Sequence, residues 1–316
     1  VAMAPRIEDY ALIGDCETAA LVSRDGSVDW LCFPRFDSAA CFAALLGDSS
    51  HGRWLLAPDV NDDTRPTVHR RYLGDSLVLE TEFHLPGGGV VAVTDFMPVR
   101  DGAANLIRIV EGRGSAPVPM RLELVIRFDY GSIVPWVQRI DPCEGEPTHP
   151  AHTSVPGSQG SNNGINVAPG VRELGPVPSG PSCYSSAIWA IAGPDSLRFR
   201  SSVPIRNENF RTTSRFTIRP GQRHYFSLTW HTSYEPPPCP VDPETALART
   251  CAWWLDWARQ CTYRGPWREA VMRSLITLKA LTYAPSGGIA AAATTSLPEH
   301  IGGVRNWDYR FCWLRD

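Results

Sequence analysis

The sequence predicts a β-rich antiparallel sandwich in the N-terminal part of the chain and helices in the C-terminal part. Three observations support this fold class. Segments in which apolar and polar residues alternate recur between residue 10 and about residue 235. Turn-forming residues separate these segments. After a proline-rich stretch at residues 234–243, the spacing of apolar residues changes from two to three and four.

The predicted strands are clearest in "MRLELVIRF", where Leu122 and Leu124 alternate with Arg121. Successive side chains of a strand lie on opposite faces, so this pattern predicts one buried and one solvated face. The segment "QRHYFSLTW" repeats the pattern. Asp25-Gly26 stands between two apolar segments and predicts a hairpin turn, because both residue types tolerate a positive φ.

Several carboxylates lie on predicted strands and are conceivable catalytic groups. We interpret them as part of a solvated sheet face, since charged residues that alternate with apolar ones are typical of an exposed face. The carboxylates are Glu80, Glu82, Asp95 and Asp129.

Residues 141–182 interrupt the strand pattern with Pro, Gly, Ser and Asn, and we expect a mobile loop inserted in the sandwich. His149 and His152 lie within it. They lack Cys or carboxylate partners at a zinc-type spacing, so we do not predict a metal site there.

The first helix is predicted to begin at Asp242, a side-chain acceptor in the N-cap position that is followed by Pro243. A second helix is predicted to begin at Pro266. The apolar stripe predicted for the first helix is Leu247, Cys251, Trp254, Ala258 and Cys261, and that of the second is Trp267, Val271, Leu275 and Leu278.

Composition restricts the function class. The formal charge of −3 over 316 residues does not favour nucleic acid or an anionic membrane as a partner. No apolar run approaches the roughly 20 residues of a membrane helix, and Glu8 and Asp9 disagree with a secretory signal, so we expect a cytoplasmic protein. The nine cysteines contain no C-x-x-C pair, and we expect reduced, mostly buried thiols.

The last twelve residues, "RNWDYRFCWLRD", carry the strongest functional signal. Trp307, Tyr309, Phe311 and Trp313 alternate with charged side chains. A sugar presents apolar C–H faces and a ring of hydroxyls, so its site combines aromatic planes with Arg and Asp. The alternative is that the Trp residues belong to the core and that the Arg and Asp residues form internal salt bridges.

Two segments resemble a known family. "AAATTSLPEHIGGVRNWDYRFCWLRD", at residues 291–316, resembles the beginning of the catalytic domain of glycoside hydrolase family 15, the glucoamylases and their trehalase relatives. "IEDYALIGDCETAALVSRDGSVDWLCFPRFDSAACFAALLGD", at residues 7–48, resembles the start of the β-sandwich that precedes this domain in bacterial members. The resemblance spans the chain apart from residues 141–182.

The resemblance implies a β-sandwich followed by the first helices of a truncated (α/α)6 toroid. We predict a sandwich domain at residues 1–235, a proline-rich linker and linker helix at residues 236–265, and an incomplete glycosidase domain at residues 266–316.

The resemblance also implies roles for individual residues. Tyr309 and Trp313 would line the subsite for a terminal glucose, and Arg315 and Asp316 would hydrogen-bond its hydroxyls. Arg305, Asn306, Trp307 and Asp308 match the first half of the motif, and we assign them to shaping the turn. Ala293 replaces the Pro that the family usually shows, which we expect to loosen the loop slightly without touching a sugar contact.

The implied activity is hydrolysis of a terminal α-glucosidic bond with inversion, which needs a carboxylic acid and a carboxylate base. In the family both are Glu residues on later loops, so we predict no catalytic residue in this chain. We hypothesise an N-terminal piece of an enzyme that is inactive alone. The alternatives are a non-catalytic carbohydrate-binding module and a scaffold that pairs with a separately encoded toroid.

The expected ligand is a glucose-terminated α-glucoside, either trehalose or a maltooligosaccharide, and the resemblance favours trehalose. We predict no cofactor from the residues present. Resemblance to the trehalase-like members raises a dependence on phosphate or Mg²⁺, for which the sequence offers no ligand set. The sequence leaves the oligomeric state open.

Overall fold

The computed structural model describes residues 5–61, 64–142, 184–295, 304–305 and 307–314. In chain order its strands are β1 (Ala11–Gly14), β2 (Ala19–Val22), β3 (Ser27–Cys32), β4 (Ala40–Phe42), β5 (Arg53–Pro58), β6 (Thr67–Tyr72), β7 (Leu79–His84), β8 (Val90–Phe96), β9 (Ala104–Gly112), β10 (Val118–Val125), β11 (Trp136–Ile140), β12 (Ser186–Ala192), β13 (Asp195–Ser201), β14 (Arg206–Glu208), β15 (Arg211–Ile218) and β16 (Arg223–Thr232). The helices are α1 (Pro243–Ala258) and α2 (Arg268–Leu281).

The strands form two sheets of eight strands each, and every pairing between named strands is antiparallel. The first sheet has the order β1-β2-β3-β5-β10-β15-β14, with β4 paired to β3. The second has the order β11-β12-β13-β16-β9-β8-β7-β6. The β-rich class and the antiparallel arrangement predicted from the sequence are confirmed. The domain boundaries at residues 235 and 265 stay predictions.

The main core contains apolar side chains from both sheets. In β10, Val118, Met120, Leu122 and Leu124 are buried in this core, while Pro119 and Arg121 are exposed. Each fully buried aliphatic side chain contributes about 1.5–3 kcal/mol, so this alternation fixes which face of the strand packs inward. The burial predicted from "MRLELVIRF" is therefore confirmed.

The hairpin predicted at Asp25-Gly26 joins β2 to β3, which pair antiparallel. Gly26 has a φ of 87°, in the left-handed region that favours glycine. A Cβ atom at this position would lie 2.5 Å from the carbonyl oxygen of Leu56. Both the conformation and the space therefore require glycine here.

The solvated-face interpretation is wrong for Asp95 and Glu80, whose side chains are buried. Asp95 accepts two hydrogen bonds from Arg108, at 2.7 and 3.2 Å, and Arg108 also donates to the carbonyl oxygens of Trp54 and Gly26 in the first sheet. The pair thus links the two sheets within the core, where burial of a charge requires such partners.

Glu80 is buried, and its carboxylate contacts Arg71 and Arg113 with N–O distances of 2.6 and 2.7 Å. These two arginines balance its charge. Glu82 is partly buried and also pairs with Arg113. Asp129 is exposed, as expected, but it lies in the short 3-10 helix Asp129–Gly131 and not on a sheet face.

The seven described cysteines are free thiols, as predicted. Cys16, Cys32 and Cys41 are buried, and burial raises the pKa of Cys16 and Cys32 to about 12, which keeps both protonated. Among the described thiols fewer than half are buried, contrary to the expectation, because Cys239 and Cys312 are exposed and Cys251 and Cys261 are only partly covered. Cys143, Cys183, His149 and His152 lie outside the described residues, as does the predicted loop from residue 143 onward.

Helix α1 begins as predicted: the Asp242 carboxylate accepts a 2.8 Å hydrogen bond from the backbone N–H of Thr245, and Pro243 is the first helical residue. Helix α2 begins at Arg268 and not at Pro266. Its predicted stripe is wrong, since Trp267 is 71% and Leu278 50% exposed.

The residues of α2 that face the protein are instead Met272, Ile276 and Ala280, which pack with Trp254 of α1. Arg273 lies beside this stripe with its guanidinium 3.9 Å from the centre of the Tyr72 ring, and it donates to the carbonyl oxygen of Ser76. This contact and the row of residues spaced by four orient the helix.

Candidate functional site

The C-terminal segment, described at residues 304–305 and 307–314, lies against residues 290–292 and the first sheet. The backbone N–H groups of Ala291 and Ala292 donate to the carbonyl oxygens of Phe311 and Tyr309, at 3.1 and 2.8 Å. Cys312 forms an isolated bridge with Ala290. These contacts align the segment with residues that follow α2.

Two of the residues assigned to a sugar subsite are brought together in this segment. The rings of Tyr309 and Trp313 stack with 5.6 Å between their centroids and 17° between their planes. Both side chains are partly exposed. Stacked aromatic rings of this kind offer a flat apolar surface, which suits the C–H face of a sugar.

Arg310, between these two rings in the chain, is buried with 6% of its surface exposed. Its guanidinium donates to both carboxylate oxygens of Asp308, to the carbonyl oxygen of Ser38 at 2.7 Å and to the hydroxyl of Tyr130 at 2.6 Å. It also contacts the sulfur of Cys32 at 3.5 Å. We call this set of contacts the Arg310 clamp.

The charges of the clamp stabilise one another. Burial is the largest single influence and lowers the pKa of Arg310, but the hydrogen bonds to Asp308 together with the contacts to Cys32 and Tyr130 outweigh it, so the pKa rises above its usual range. The same hydrogen bonds lower the pKa of the Asp308 carboxyl. The ion pair is therefore fully formed at neutral pH.

Tyr130 reaches Arg310 from an unusual turn. Asp129, Tyr130 and Gly131 have φ angles of 47°, 57° and 102°. A non-glycine residue in the left-handed region costs on the order of 1–3 kcal/mol when its surroundings enforce it. Contacts of the tyrosine offset this strain, since its hydroxyl accepts from Arg310 and its ring lies 6.3 Å from that of Trp30.

A second contact holds residues 290–293. The indole N–H of the buried Trp30 donates to the carbonyl oxygen of Ala293 at 2.9 Å. The loosening expected from alanine at this position stays a prediction, but Ala293 is itself only 9% exposed. Any proline at residue 293 would keep the same acceptor.

A cavity of about 310 Å³ adjoins the segment. Phe36, Tyr283 and Phe311 line it together with Arg35 and Asp37, whose side chains form two hydrogen bonds of 2.9 and 3.1 Å. Aromatic rings beside an Arg–Asp pair are the chemistry expected for a sugar. Sequence reasoning missed this combination because "FPRFDS" at residues 33–38 lies more than 240 positions from Tyr283.

The structure describes only some of the other residues assigned to the site. Arg315, Asp316 and Asn306 lie outside the described residues, so the predicted hydrogen bonds to glucose hydroxyls stay predictions. Trp307 is 49% exposed and Asp308 accepts from the backbone N–H of Arg310. This last contact fits the turn-shaping role assigned to Asp308.

The described part of the chain contains neither a metal-binding cluster nor a membrane-spanning helix. No group of three or more His, Cys, Asp and Glu side chains among these residues is close enough to hold a metal ion. Neither of the helices described is long and apolar enough to cross a membrane.

Comparison with known proteins gives two family matches. Residues 2–140 match the model of the trehalase-like N-terminal region, and residues 265–316 match that of glycosyl hydrolases family 15. Arg310, Asp308 and the ring pair lie in the second match, whereas Cys32, Ser38 and Tyr130 lie in the first.

Curated relatives align along nearly the whole chain. Trehalases of Thermoplasma volcanium, Mycolicibacterium smegmatis and Mycobacterium tuberculosis are 30%, 31% and 32% identical over 99% of it. The alignments cover 43%, 43% and 42% of these proteins, so the chain spans less than half the length of the relatives it matches.

Among solved structures, a bacterial glucoamylase complexed with acarbose is similar in fold. The TM-score is 0.58 at 9% identity, covering 99% of this chain and 46% of the glucoamylase. At this identity the likeness concerns the fold alone.

Proposed function

We propose that this chain, in which residues 265–316 match glycosyl hydrolases family 15 and residues 2–140 match the trehalase-like N-terminal region, is part of an enzyme that hydrolyses trehalose. The observation that carries the proposal is the presence of both regions, in this order, in a chain that aligns with trehalases over 99% of its length. Trehalose is preferred over α-glucan ends because the curated relatives named here are trehalases.

In the proposed site, Tyr309 and Trp313 contact the C–H face of a terminal glucose. The stacked geometry of the two rings supports this role. Arg315 and Asp316 hydrogen-bond the glucose hydroxyls away from the scissile bond. Charge-assisted hydrogen bonds of this type contribute roughly 1.5–3 kcal/mol each when water is excluded, enough to orient the sugar.

The proposed reaction is inverting removal of glucose from the end of its substrate. One carboxylic acid protonates the leaving oxygen and one carboxylate activates water, roughly 6.5–9.5 Å apart. We assign neither role to residues 1–316, following the family resemblance. The buried carboxylates of the sandwich do not fit these roles, since both oxygens of Asp95 are bonded to Arg108 and Glu80 is held by two arginines.

We therefore propose that the 316-residue chain alone does not hydrolyse its substrate. A missing general acid or base lowers a rate by about 10²–10⁴, and here both would be missing. Dependence on phosphate or Mg²⁺ remains a prediction of the resemblance, and no step above uses either.

The test has two arms. The purified 316-residue chain is titrated calorimetrically with trehalose and maltotriose, with the β-linked cellobiose as the matched control, and is assayed for glucose release. We expect weak binding of the α-linked sugars and no release. A polypeptide that continues over the full length of the trehalase relatives should release glucose from trehalose faster than from maltotriose. Sustained release by the short chain, or a longer protein inert towards trehalose, would contradict the proposal.

A further inference from the structure

We propose that Arg310 is a positioning residue through which the β-sandwich holds the Tyr309–Trp313 ring pair in its stacked orientation. This inference rests on the proposed function for the role of the ring pair, but its structural part stands on the contacts of the Arg310 clamp. Nothing in the family matches assigns a role to Arg310 or to Tyr130.

The side chain of Arg310 contacts residues of the β-sandwich that are distant in the sequence. Arg310 directly follows Tyr309, and its guanidinium reaches three residues of the sandwich: the Ser38 carbonyl at 2.7 Å, the Tyr130 hydroxyl at 2.6 Å and the Cys32 sulfur at 3.5 Å. The partners lie 272, 180 and 278 positions away in the sequence. A single side chain therefore connects the segment that carries the rings to the preceding domain.

The described backbone of the segment has few regular hydrogen bonds. Its described backbone accepts hydrogen bonds from Ala291 and Ala292, at the carbonyl oxygens of Phe311 and Tyr309, and pairs with Ala290 through an isolated bridge at Cys312. In a full antiparallel ladder, every second residue would exchange two backbone hydrogen bonds with the residue opposite. Here a buried side chain between the two bonded carbonyls supplies a further restraint.

The geometry of the Arg310 guanidinium matches the positions of its hydrogen-bond partners. A planar guanidinium has five N–H groups in a fixed arrangement, and Arg310 directs them to Asp308, Ser38 and Tyr130 together. Asp308 neutralises the charge, which allows burial. The ammonium group of lysine would keep the charge but could not reach all three partners from one position.

The experiment uses the 316-residue chain with Tyr130→Phe, Arg310→Lys and the control Tyr72→Phe. The control also removes a tyrosine hydroxyl that bonds a backbone carbonyl, that of Leu12 at 2.8 Å, away from the clamp. Two quantities are measured by NMR: hydrogen exchange of the Ala292 amide, which donates to Tyr309, and the chemical shift of the Trp313 indole N–H, which reports on the stacked ring.

We expect Tyr130→Phe and Arg310→Lys to accelerate exchange of the Ala292 amide by roughly tenfold or more, since each removes a hydrogen bond to a charged group. Both should shift the Trp313 indole signal. Exchange of the Leu228 amide in β16 should not change, and Tyr72→Phe should leave the Ala292 amide and the Trp313 signal as in the wild type.

Two results would overturn the inference: unchanged Ala292 exchange and Trp313 signal in both clamp variants, or equal acceleration at Ala292 and Leu228, which indicates general destabilisation. Titration with trehalose separates the two proposals. If the clamp variants disturb the rings while the wild type binds no sugar, the positioning role holds and the proposed sugar site fails. If the wild type binds trehalose and the clamp variants bind it equally, with unchanged signals, the positioning role fails alone.

Discussion

Two arginines of this protein, Arg108 and Arg310, share the same chemistry in different settings. Each donates two or more hydrogen bonds to an aspartate and further ones to carbonyl or hydroxyl oxygens. Arg108 belongs to β9, in the middle of an eight-stranded sheet, and pairs with Asp95 directly opposite in β8. Arg310 belongs to a segment with an isolated bridge.

The difference shows what such an arginine can do. Where strand pairing already fixes the backbone, the ion pair adds a polar link between two sheets inside the core. Where regular pairing is sparse, a similar ion pair helps determine where the backbone lies. Changes at Arg108 should therefore alter global stability, whereas changes at Arg310 should alter local order first.

Asp95→Ala should destabilise the fold most. It leaves the Arg108 guanidinium buried without its counter-charge, and removal of one partner of a buried pair costs about 3–5 kcal/mol. Urea denaturation followed by circular dichroism measures the change in the free energy of unfolding. The double variant Asp95→Ala, Arg108→Met should regain part of the loss, because no unpaired charge remains. A loss below about 1 kcal/mol for Asp95→Ala would show that the pair is not a core element.

Gly26→Ala should have the next largest effect. The left-handed conformation itself costs alanine about 1–2 kcal/mol, and the added Cβ would lie 2.5 Å from the Leu56 carbonyl oxygen, so the turn must also shift. Because the Gly26 carbonyl accepts from Arg108, the shift would weaken that contact too. The matched control is Gly87→Ala, which has a φ of 88° and no atom within 4 Å of the added Cβ. If Gly26→Ala and Gly87→Ala lowered the midpoint of thermal unfolding equally, the steric contribution would be ruled out.

The Arg310 clamp should be sensitive to acid. The hydrogen bonds from Arg310 lower the pKa of Asp308 in the folded protein. The ion pair therefore stabilises the segment at pH values above the unfolded pKa, about 3.9, and this stabilisation is lost as the pH falls through the folded pKa. The Trp313 indole N–H signal should move as the pH falls below about 4, while Asp308→Asn should remove this transition. A transition that persists in Asp308→Asn would assign it to another group.

Arg249→Ala should change stability least. Arg249 and Asp101 form a 2.7 Å ion pair in which both side chains are 71% exposed. Exposed pairs contribute about 0–1 kcal/mol because water and salt screen them. Denaturation at low and high salt should give nearly the same free energy of unfolding for the variant and the wild type. A loss comparable with that of Asp95→Ala would remove the distinction between buried and exposed pairs.

Local patterns in the sequence predicted much of the fold. The alternation around Leu122 and the Asp242 cap depend on neighbours in the chain, so they were visible without a structure. The stripe of α2 was misassigned because apolar residues are adjacent along this helix, as in Val271–Met272 and Leu275–Ile276. Only packing against Trp254 shows that Met272 and Ile276 face the protein.

The buried ion pair and the clamp were not predictable in the same way. Asp95 has the sequence surroundings of an exposed strand residue, and its burial becomes clear only when β8 and β9 are paired in register. Tyr309 and Trp313 were recognised from their spacing, but the partners of Arg310 lie 180 or more positions away. Contacts at such separations leave no local pattern.

Gly131 belongs to the turn that places the Tyr130 hydroxyl beside Arg310. Its φ is 102°, and a Cβ there would lie 2.9 Å from the imidazole of His51, so any other residue would strain the backbone and force the turn or His51 to shift. A shift of the turn would move the Tyr130 hydroxyl and disturb the alignment of Tyr309 through Arg310. Engineering that grafts this sandwich onto another helical domain should therefore retain residues 129–131 as a unit.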